Sequence, residues 1–569
     1  MIHLQRRGVP ILLLIASSLF LSPMQPAAAN GSTNPVELMK YLNPLQKKGY
    51  LNQAQDRIIK KKSFKTGDLP AGPVVSNKEL GFFAIVPPAR FADSQYVEDL
   101  LSNQRVNGIS VLIPWKLLEP GDDEYNWQTV DSLLSLCEKS QKSLILRVST
   151  CGVDLPAQSD GSGGQADSDT PSWVFAQGAQ SVSYSSADGK KHLMPVFWDA
   201  KYLASWGNFI KSLGKRYDAS PSLHSVGITG GGFAGGTAVV PDCSGTSSTR
   251  EEKAEAASLM QTLQKDHGMT SRQLVEHWKY VADVFPKRFP TARLNFAINA
   301  PTLNRAGEDT LDEISDYLVY RYGERIYLTR QNLRSARHGF DDYRVLLKFR
   351  NDTLTGEQLT AELPAKDMER LARFALDDGI SFLEMTPELL SSSDPDTQAA
   401  LDKLASHIGF QVLSQKAELP AEVVSGEPLK VSFSFLNLGA ALPLRPERQF
   451  DKDMAASFKV QVELRGADGK AVVQNIHTPG TPTNKWTPGT VVSWQEDLKM
   501  PPLPPGQYRA FLSLIDPVTK RSVNILDGTV AERLVPSASI ALGTIRVVPA
   551  GGSPEKVLGS SASQPPVEQ

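Results

Sequence analysis

The sequence has few cysteines and histidines, and it lacks the motifs that usually bind metals or phosphate groups. Its 569 residues include only three cysteines, which lack CxxC spacing, and eight histidines, no two of which are four residues apart. There is no HExxH segment, and no Gly-rich dinucleotide or phosphate-binding loop follows a predicted strand. We therefore expect no metal site and no cofactor.

The sequence also lacks an excess of positive charge and long apolar runs. The formal net charge is −2, whereas a nucleic-acid-binding protein needs a basic surface to neutralise phosphates. Beyond the N-terminal segment, no stretch reaches the ~18 consecutive apolar residues that a membrane-spanning helix needs. We therefore expect neither a nucleic-acid partner nor stable insertion of the mature chain in a membrane, and the sequence leaves protein partners unknown.

The first 29 residues are typical of a secretory signal. Arg6 and Arg7 precede an apolar run, Val9–Leu21, and Ala27–Ala29 form a small-residue cleavage site. A membrane anchor is the alternative, but the run is short for a bilayer and a cleavage site follows it. We expect a secreted or periplasmic protein. Loss of the two arginines leaves 58 basic and 62 acidic residues.

A chain of this length should form more than one domain, because single hydrophobic cores stop growing at ~250–300 residues. Short apolar runs alternate with amphipathic helices in the first part, which predicts a (β/α)₈ TIM barrel of the α/β class. A doubly wound open sheet is the alternative, but its glycine fingerprint is missing. The predicted strands are Gly81–Val86, Gly108–Ile113, Leu144–Val148, His224–Thr229, Leu294–Asn299, Arg325–Thr329, Tyr343–Phe349 and Ile380–Met385.

The helical pattern stops after about Phe410. Apolar and polar residues then alternate, as in Val431, Phe433 and Phe435, and turn signals separate the runs. This predicts an antiparallel β-sandwich. The predicted divisions are 1–29, signal peptide; 30–76, N-terminal lead-in segment; 77–410, TIM barrel; 411–549, β-sandwich; and 550–569, disordered tail.

Two long insertions follow barrel strands at their carboxyl ends, where barrels build their sites. They are Asp154–Leu193 and Gly235–Met269, and both are long enough to wall a cleft. Cys151 and Cys243 lie on this same side. An oxidising compartment would allow them to pair, and the sequence leaves that pairing open.

Several short motifs resemble segments of bacterial beta-galactosidase-like barrels, which belong to glycoside hydrolase clan A. The first is WKLLEPGDDEYNW, at residues 115–127. The order of motifs also resembles an uncharacterised bacterial family that adds a C-terminal sandwich, and the resemblance covers about residues 80–549. The other matching segments are Thr170–Trp173, Pro195–Asp199, Arg216–Asp218, Leu436–Gly439, Trp486–Gly489 and Leu503–Tyr508.

The resemblance implies glycoside hydrolysis, which normally requires two carboxyl groups beside the scissile bond. It places the acid/base glutamate just past strand four, where this chain has Gly236. It places the second carboxylate at the end of strand seven, which our strand assignment ends at Lys348 and Arg350. Glu384 on strand eight is the best catalytic candidate. An ion pair with Lys348 or Arg350 is its alternative role, and a strand count wrong by one would put Glu384 on strand seven.

Other side chains near the predicted strand ends suit sugar binding. Indole rings stack on pyranose faces, while carboxylate, amide and guanidinium groups bond sugar hydroxyls. For the tryptophans the alternative is loop packing, and for Arg147 it is a structural ion pair. The candidate substrate-binding residues are Trp115, Arg147, Asp154, Trp173, Trp198, Asp199 and Asn299.

Three functions remain open at this level. One is a secreted glycoside hydrolase acting on a carbohydrate ligand, for example a β-galactoside or an exopolysaccharide. The second is a catalytically degenerate barrel that binds a glycan without cleaving it. The third is a structural or assembly factor of an envelope polysaccharide system. Gly236 weakens the first, because it removes the expected proton donor.

Overall fold

A computed structural model describes most of the chain between Thr66 and Ala550. Cys243 and Gly236 lie outside the described residues, as do the signal segment and the tail. The described ranges are 66–69, 71–74, 79–151, 168–185, 191–232, 250–298, 305–330, 341–359, 365–444, 457–517, 520–528 and 534–550.

Eight parallel strands form a closed barrel, which confirms the predicted fold class. Their order around the barrel is β1-β10-β9-β8-β7-β6-β3-β2, so sequential barrel strands are neighbours throughout. A two-stranded hairpin, β4 with β5, interrupts the series after the third barrel strand. The strands are β1 (Gly81–Ile85), β2 (Val106–Pro114), β3 (Ser143–Ser149), β4 (Ser181–Ser185), β5 (Lys191–Pro195), β6 (Leu223–Gly227), β7 (Leu294–Ala297), β8 (Ile326–Arg330), β9 (Thr355–Leu359) and β10 (Phe382–Met385).

A helix follows every barrel strand, and amphipathic sequences account for the long ones. Asp199 and Thr270 cap two of them by accepting hydrogen bonds from backbone N–H groups of the first turn. The helices are α1 (Ser94–Ser102), α2 (Trp115–Leu118), α3 (Gln128–Lys139), α4 (Ser172–Ala176), α5 (Ala200–Tyr217), α6 (Arg250–Lys265), α7 (Ser271–Arg288), α8 (Arg305–Tyr322), α9 (Asp341–Phe349), α10 (Ala365–Asp378), α11 (Pro387–Leu390) and α12 (Pro395–His407).

One predicted strand was wrong. Residues predicted as the strand Tyr343–Phe349 form helix α9, and the seventh barrel strand is β9, which the sequence analysis did not identify. Val345, Leu346 and Phe349 are buried on one side of α9. These residues are one and then three positions apart, so they lie on one face of a helix. In a strand, where successive side chains point to opposite faces, they could not all lie on the same face. Glu384 therefore lies on strand eight, as first counted.

Aromatic rings fill the barrel at the amino ends of its strands. The His224 ring lies 4.6 Å from that of Phe83 and 5.3 Å from that of Tyr327, centroid to centroid. Phe382 completes the group, and Gly356 leaves room for its ring, because a Cβ there would collide with it. This layer closes the barrel at that end, so a site can open only at the carboxyl ends of the strands.

The C-terminal region is a sandwich of a five-stranded and a six-stranded sheet. The five-stranded sheet has the order β16-β13-β11-β19-β20; the other sheet has the path β12-β21-β17-β14-β15, with β18 paired to β17. Most pairs are antiparallel, as predicted, but β11 with β19 and β12 with β21 are parallel. Its strands are β11 (Val412–Glu418), β12 (Glu422–Val424), β13 (Leu429–Asn437), β14 (Lys459–Arg465), β15 (Ala471–His477), β16 (Val491–Leu498), β17 (Gly506–Ile515), β18 (Ser522–Val523), β19 (Ile525–Asp527), β20 (Val535–Ser537) and β21 (Ile540–Val548).

The sandwich packs on the barrel through one continuous apolar cluster. Leu80 and Phe83 of the barrel share it with Phe410, Val431 and Phe458 of the sandwich. Within the described ranges, none of the helices has the length and apolar character needed to cross a membrane.

Candidate functional site

A layer of polar side chains crosses the barrel interior above the aromatic layer. Successive side chains of a strand point to opposite faces of the sheet, so every second residue enters the barrel. Ser110 on β2, Arg147 on β3 and Glu384 on β10 enter it at the same level, and Asn295 on β7 joins them. All four are at least 90% buried. We call this set the polar layer.

Arg147 and Glu384 form a two-point ion pair at the centre of the polar layer. The Arg147 Nη1 and Nη2 atoms lie 2.6 and 2.7 Å from the two carboxylate oxygens of Glu384. Ser110 donates its hydroxyl to Glu384 Oε2 at 2.5 Å, and Gln358 Nε2 donates to the same oxygen at 3.1 Å. Paired planar groups of this kind make short, strong hydrogen bonds.

The charge of Arg147 determines the ionisation of Glu384. Burial alone would raise the pKa of this carboxyl group, but the guanidinium charge and the donated hydrogen bonds outweigh burial, so its pKa is lowered. Glu384 is an anion with both oxygens occupied. The partner is neither Lys348, which pairs with Asp316, nor Arg350, whose Nη1 donates to backbone carbonyls.

Asn295 and Thr329 support the guanidinium from the other side. Arg147 Nη2 lies 3.1 Å from Asn295 Oδ1, and the Thr329 hydroxyl donates to that same oxygen at 2.9 Å. Gly227 gives the arginine room, since a Cβ at this position would come within 2.6 Å of Arg147 Cγ. The polar layer is therefore built around the arginine.

The seventh barrel strand carries the other carboxylate found on the barrel strands. Glu357 on β9 is fully buried and lies 3.2 Å from Arg330 Nη1 on β8. Its neighbour Gln358 enters the barrel, so Glu357 points outward, towards the helices. The Arg330 guanidinium also lies 5.3 Å from the ring centroid of Tyr343 on α9. Both carboxylates of the eight strands thus lie in buried ion pairs.

The two tryptophans nearest the second strand lie in an aromatic cluster. Trp115 has no exposed surface, and its ring lies 5.1 Å from that of Trp206 and 6.0 Å from that of Trp173. Protein atoms therefore cover both faces of its ring, which is the packing alternative given above. Trp173 is partly exposed, and its indole N–H donates to the Glu119 carbonyl oxygen at 3.2 Å.

The remaining predicted ligands are dispersed. Trp198 is partly exposed and donates its indole N–H to the His267 carbonyl oxygen at 2.7 Å. Asp199 uses its carboxylate to cap α5, with Oδ1 accepting from two backbone N–H groups. Asp154 and Asn299 lie outside the described residues. Of the predicted site residues that are described, the structure joins Arg147 and Glu384 by hydrogen bonds and packs Trp115 against Trp173.

Sequence reasoning missed the uncharged side chains that bond to the ion pair. They lie at inward positions of four other barrel strands and are Ser110, Asn295, Thr329 and Gln358. Side chains alternate between the two faces of a strand, so Arg147 and Glu384 identify the inward positions of β3 and β10. They do not identify the inward positions of the other barrel strands. Gln358 was missed because its strand was missed.

Glu119 forms a second acidic feature on the loop after β2. The residue is 2% exposed, and its carboxylate accepts the indole N–H of Trp115 at 2.7 Å. Burial raises the pKa of Glu119 to about 7, against the lowering effect of that hydrogen bond. Its carboxylate oxygens lie within 4.8 Å of those of Asp122 and Asp123. Such oxygens suit a hard cation, but the bond to Trp115 accounts for Glu119, and we assign no metal here.

We expect the loop around Glu119 to respond to pH near neutrality. A raised pKa means that the folded loop favours the protonated acid, so its contribution to stability is lost as pH rises through about 7. Tryptophan fluorescence of the native protein should therefore change between pH 6 and 8. The Glu119→Gln variant, which cannot titrate, should lose that change. A transition that persists in the variant would assign it to another group.

The fold and the site together define the class of protein: a (β/α)₈ barrel with a polar interior, followed by a β-sandwich. The sequence matches no protein-family model and no curated protein. Among solved structures, the chain is similar to the catalytic domain of a beta-amylase from Paenibacillus polymyxa, at 11% identity and a TM-score of 0.40, covering 58% of this chain and 99% of that one.

A second similar structure is a beta-galactosidase from the psychrophilic Marinomonas ef1. The identity is 11% and the TM-score 0.32, covering 57% of this chain and 58% of that one. The chain thus spans just over half of that enzyme. Both likenesses are too distant to bear on activity, and the strand order defines the barrel by itself.

Proposed function

We propose that this protein is an exported barrel that binds a glycan and does not cleave it by the two-carboxylate route. The observation that carries the proposal is the pairing of both carboxylates on the barrel strands. Glu384 is bound at both oxygens by Arg147, and Glu357 faces outward against Arg330. A hydrolase needs two carboxyl groups facing the scissile bond, one of which must give up a proton.

The binding part of the proposal is supported by the open end of the barrel. Inward residues Ile85, Leu112 and Gln358 are partly exposed there, so solvent reaches the level of the polar layer. Ligand sites of such barrels lie at this end. Trp173 and Trp198 keep part of their indole surface exposed, which stacking on a sugar ring requires.

The signal-like pattern at the N-terminus of the sequence supports export. The order of the short motifs supports grouping this barrel with the beta-galactosidase-like barrels. Trp115 and Glu119 of the first motif form a hydrogen-bonded pair, so the motif acts here as a loop support. We propose a secreted or periplasmic location. Terminal sequencing of protein recovered from the medium and periplasm should find cleavage near Ala29.

The deciding experiment is a polysaccharide screen of the purified mature protein that scores binding and release of reducing ends separately. We expect binding to at least one polymer with no release above a blank. Binding should weaken about tenfold or more in Trp173→Ala, because one stacked ring is worth roughly a tenfold loss or more in affinity. Trp494→Ala, which changes a partly exposed sandwich tryptophan, is the matched control.

Release of reducing ends would favour the hydrolase hypothesis instead. If release survived Glu384→Gln, the catalytic groups would lie outside the ion pair described here. Absence of both binding and release over the whole panel would contradict the proposed function and would favour a structural role.

A further inference from the structure

Three buried polar groups inside the barrel have no hydrogen-bond partner in the protein. They are the hydroxyls of Ser149 and Thr229 and the amide nitrogen, Nδ2, of Asn295. The exposed fractions of these residues are 0%, 1% and 1%. Buried polar groups are nearly always paired, because removing them from water without a new partner costs free energy. The three groups therefore indicate that something other than protein completes their bonding.

All three side chains enter the barrel. Ser149 lies two residues beyond Arg147 on β3, and Thr229 lies two residues beyond Gly227, whose Cβ position faces the Arg147 side chain. Asn295 Oδ1 accepts a hydrogen bond from Arg147, so its amide also lies inside.

The three residues also occupy one sector of the barrel. They belong to β3, β6 and β7 or directly follow these strands, which are neighbours in the barrel order. Gly227 pairs with Asn295, and Ile228 donates its backbone N–H to the Asn295 carbonyl. Ser149 and Thr229 lie one layer nearer the open end than Arg147. The unpartnered groups thus lie at the level of the ion pair and directly above it.

The three side chains of this sector are uncharged. Among the described residues, the charges of the polar layer below them are Arg147 and Glu384, and Glu384 binds Arg147 at both ends of its guanidinium. A carboxylate or sulfate group placed here would meet no uncommitted cation from the polar layer. Two hydroxyls and one amide N–H₂ instead offer donors and acceptors that match uncharged hydroxyl groups.

We propose that Ser149, Thr229 and Asn295 form a hydroxyl-recognition sector that selects an uncharged sugar unit over a uronic acid or sulfated unit. The inference rests on the proposed glycan binding and names the class of glycan. Selection follows from desolvation: a charged group would lose its water in this sector without gaining an opposite charge. Neutral hydroxyls would exchange water for direct hydrogen bonds.

The test compares each polymer with its own charged derivative. The probes are β-galactan, β-glucan and β-mannan, each before and after selective oxidation of its C6 hydroxyls to carboxylates. Calorimetric titration of the mature protein should show at least tenfold tighter binding to the untreated form of whichever polymer binds. Linkage and the other ring hydroxyls are the same within each pair, so the difference reports the replacement of the C6 hydroxyl by a carboxylate.

Two variants of the sector and one control link the preference to these residues. Thr229→Val keeps the shape of the side chain but removes its hydroxyl. It should weaken binding of the neutral polymer about tenfold, and Ser149→Ala should have a similar effect. Thr355→Val is the matched control: it removes another unpartnered buried hydroxyl, on β9, where the next residue, Gly356, faces the interior. It should bind as wild type. Neither valine variant should lower the midpoint of thermal unfolding, because each replaces a hydroxyl that has no partner.

Two results would overturn the inference while leaving the proposed function intact. One is equal or tighter binding of the oxidised polymers. The other is unchanged affinity in both Thr229→Val and Ser149→Ala, which would leave water alone as the partner of these groups. Binding of no polymer in either form would overturn the proposed function, and this inference with it.

Discussion

Arg147→Met is expected to destabilise the barrel by about 3–5 kcal/mol, the usual cost of leaving one charge of a buried ion pair alone. Methionine fills part of the space of the arginine stem, so the loss reports charge more than volume. Glu384 would then remain fully buried, with hydrogen bonds from Ser110 and Gln358 but no opposite charge. Urea unfolding followed by tryptophan fluorescence measures the change.

A second substitution separates the charge from the packing. Arg147→Met combined with Glu384→Leu removes both charges, and such apolar replacements are often neutral or stabilising. The double variant should therefore recover most of the lost free energy. Arg216→Met is the control, because it breaks an exposed pair with Asp131, in which the side chains are 45% and 43% exposed. Exposed pairs contribute about 0–1 kcal/mol. A double variant as unstable as Arg147→Met would refute the ion-pair interpretation.

The second large effect is a loss of barrel stability in mild acid. Burial lowers the pKa of His224 to about 4, from an ordinary value near 6.5. Between these values the unfolded chain binds more protons than the folded chain, so stability falls as pH falls from about 6.5 to 4. A difference of this size corresponds to roughly 3 kcal/mol at about 1.4 kcal/mol per pKa unit. Unfolding in urea at several pH values measures the slope.

His224→Phe should flatten that slope, because phenylalanine suits the aromatic layer and does not titrate. His224 is surrounded by Phe83, Tyr327 and Phe382. The substitution removes two contacts, between Nε2 and the Glu79 carbonyl oxygen at 3.1 Å and between Nδ1 and the Ser225 hydroxyl at 2.9 Å. The residual slope should come from His277, whose pKa burial lowers to about 3. His277→Phe should flatten the slope in the same way. A slope unchanged in both variants would exclude His224 and His277 as its cause.

Local patterns predicted most of the barrel, and the failure at strand seven has a clear cause. Residues 355–359 read TGEQL, which has a single strongly apolar side chain and no alternation. It is a strand because β8 and β10 lie on either side and hydrogen-bond to it. The nearby apolar run in α9 is short enough to suit either helix or strand on pattern alone. Only the tertiary structure shows that one face of this helix is buried, through Val345, Leu346 and Phe349.

The candidate site could be predicted only in part. Arg147 and Glu384 were identified singly, from their positions near strand ends. Their contact joins residues 237 apart in the chain, and no local signal reports such a pairing. The sequence suggested Lys348 or Arg350 as the partner of Glu384, because the residues of helix α9 were taken for the seventh barrel strand in place of β9.

The sequence by itself determined the barrel and the sandwich, because the periods of apolar residues differ between helices and strands and are local properties. It also determined the acidic balance of the whole chain. Only the tertiary structure decided what the charged residues do. Closing the barrel brings β3 beside β6 and sets Arg147 against Glu384 across its interior. Burial there makes pairing of the charges obligatory. Glu384 is therefore a buried anion with both oxygens bonded, and the neutral hydroxyls of Ser149 and Thr229, one layer above it, are buried without a partner in the protein.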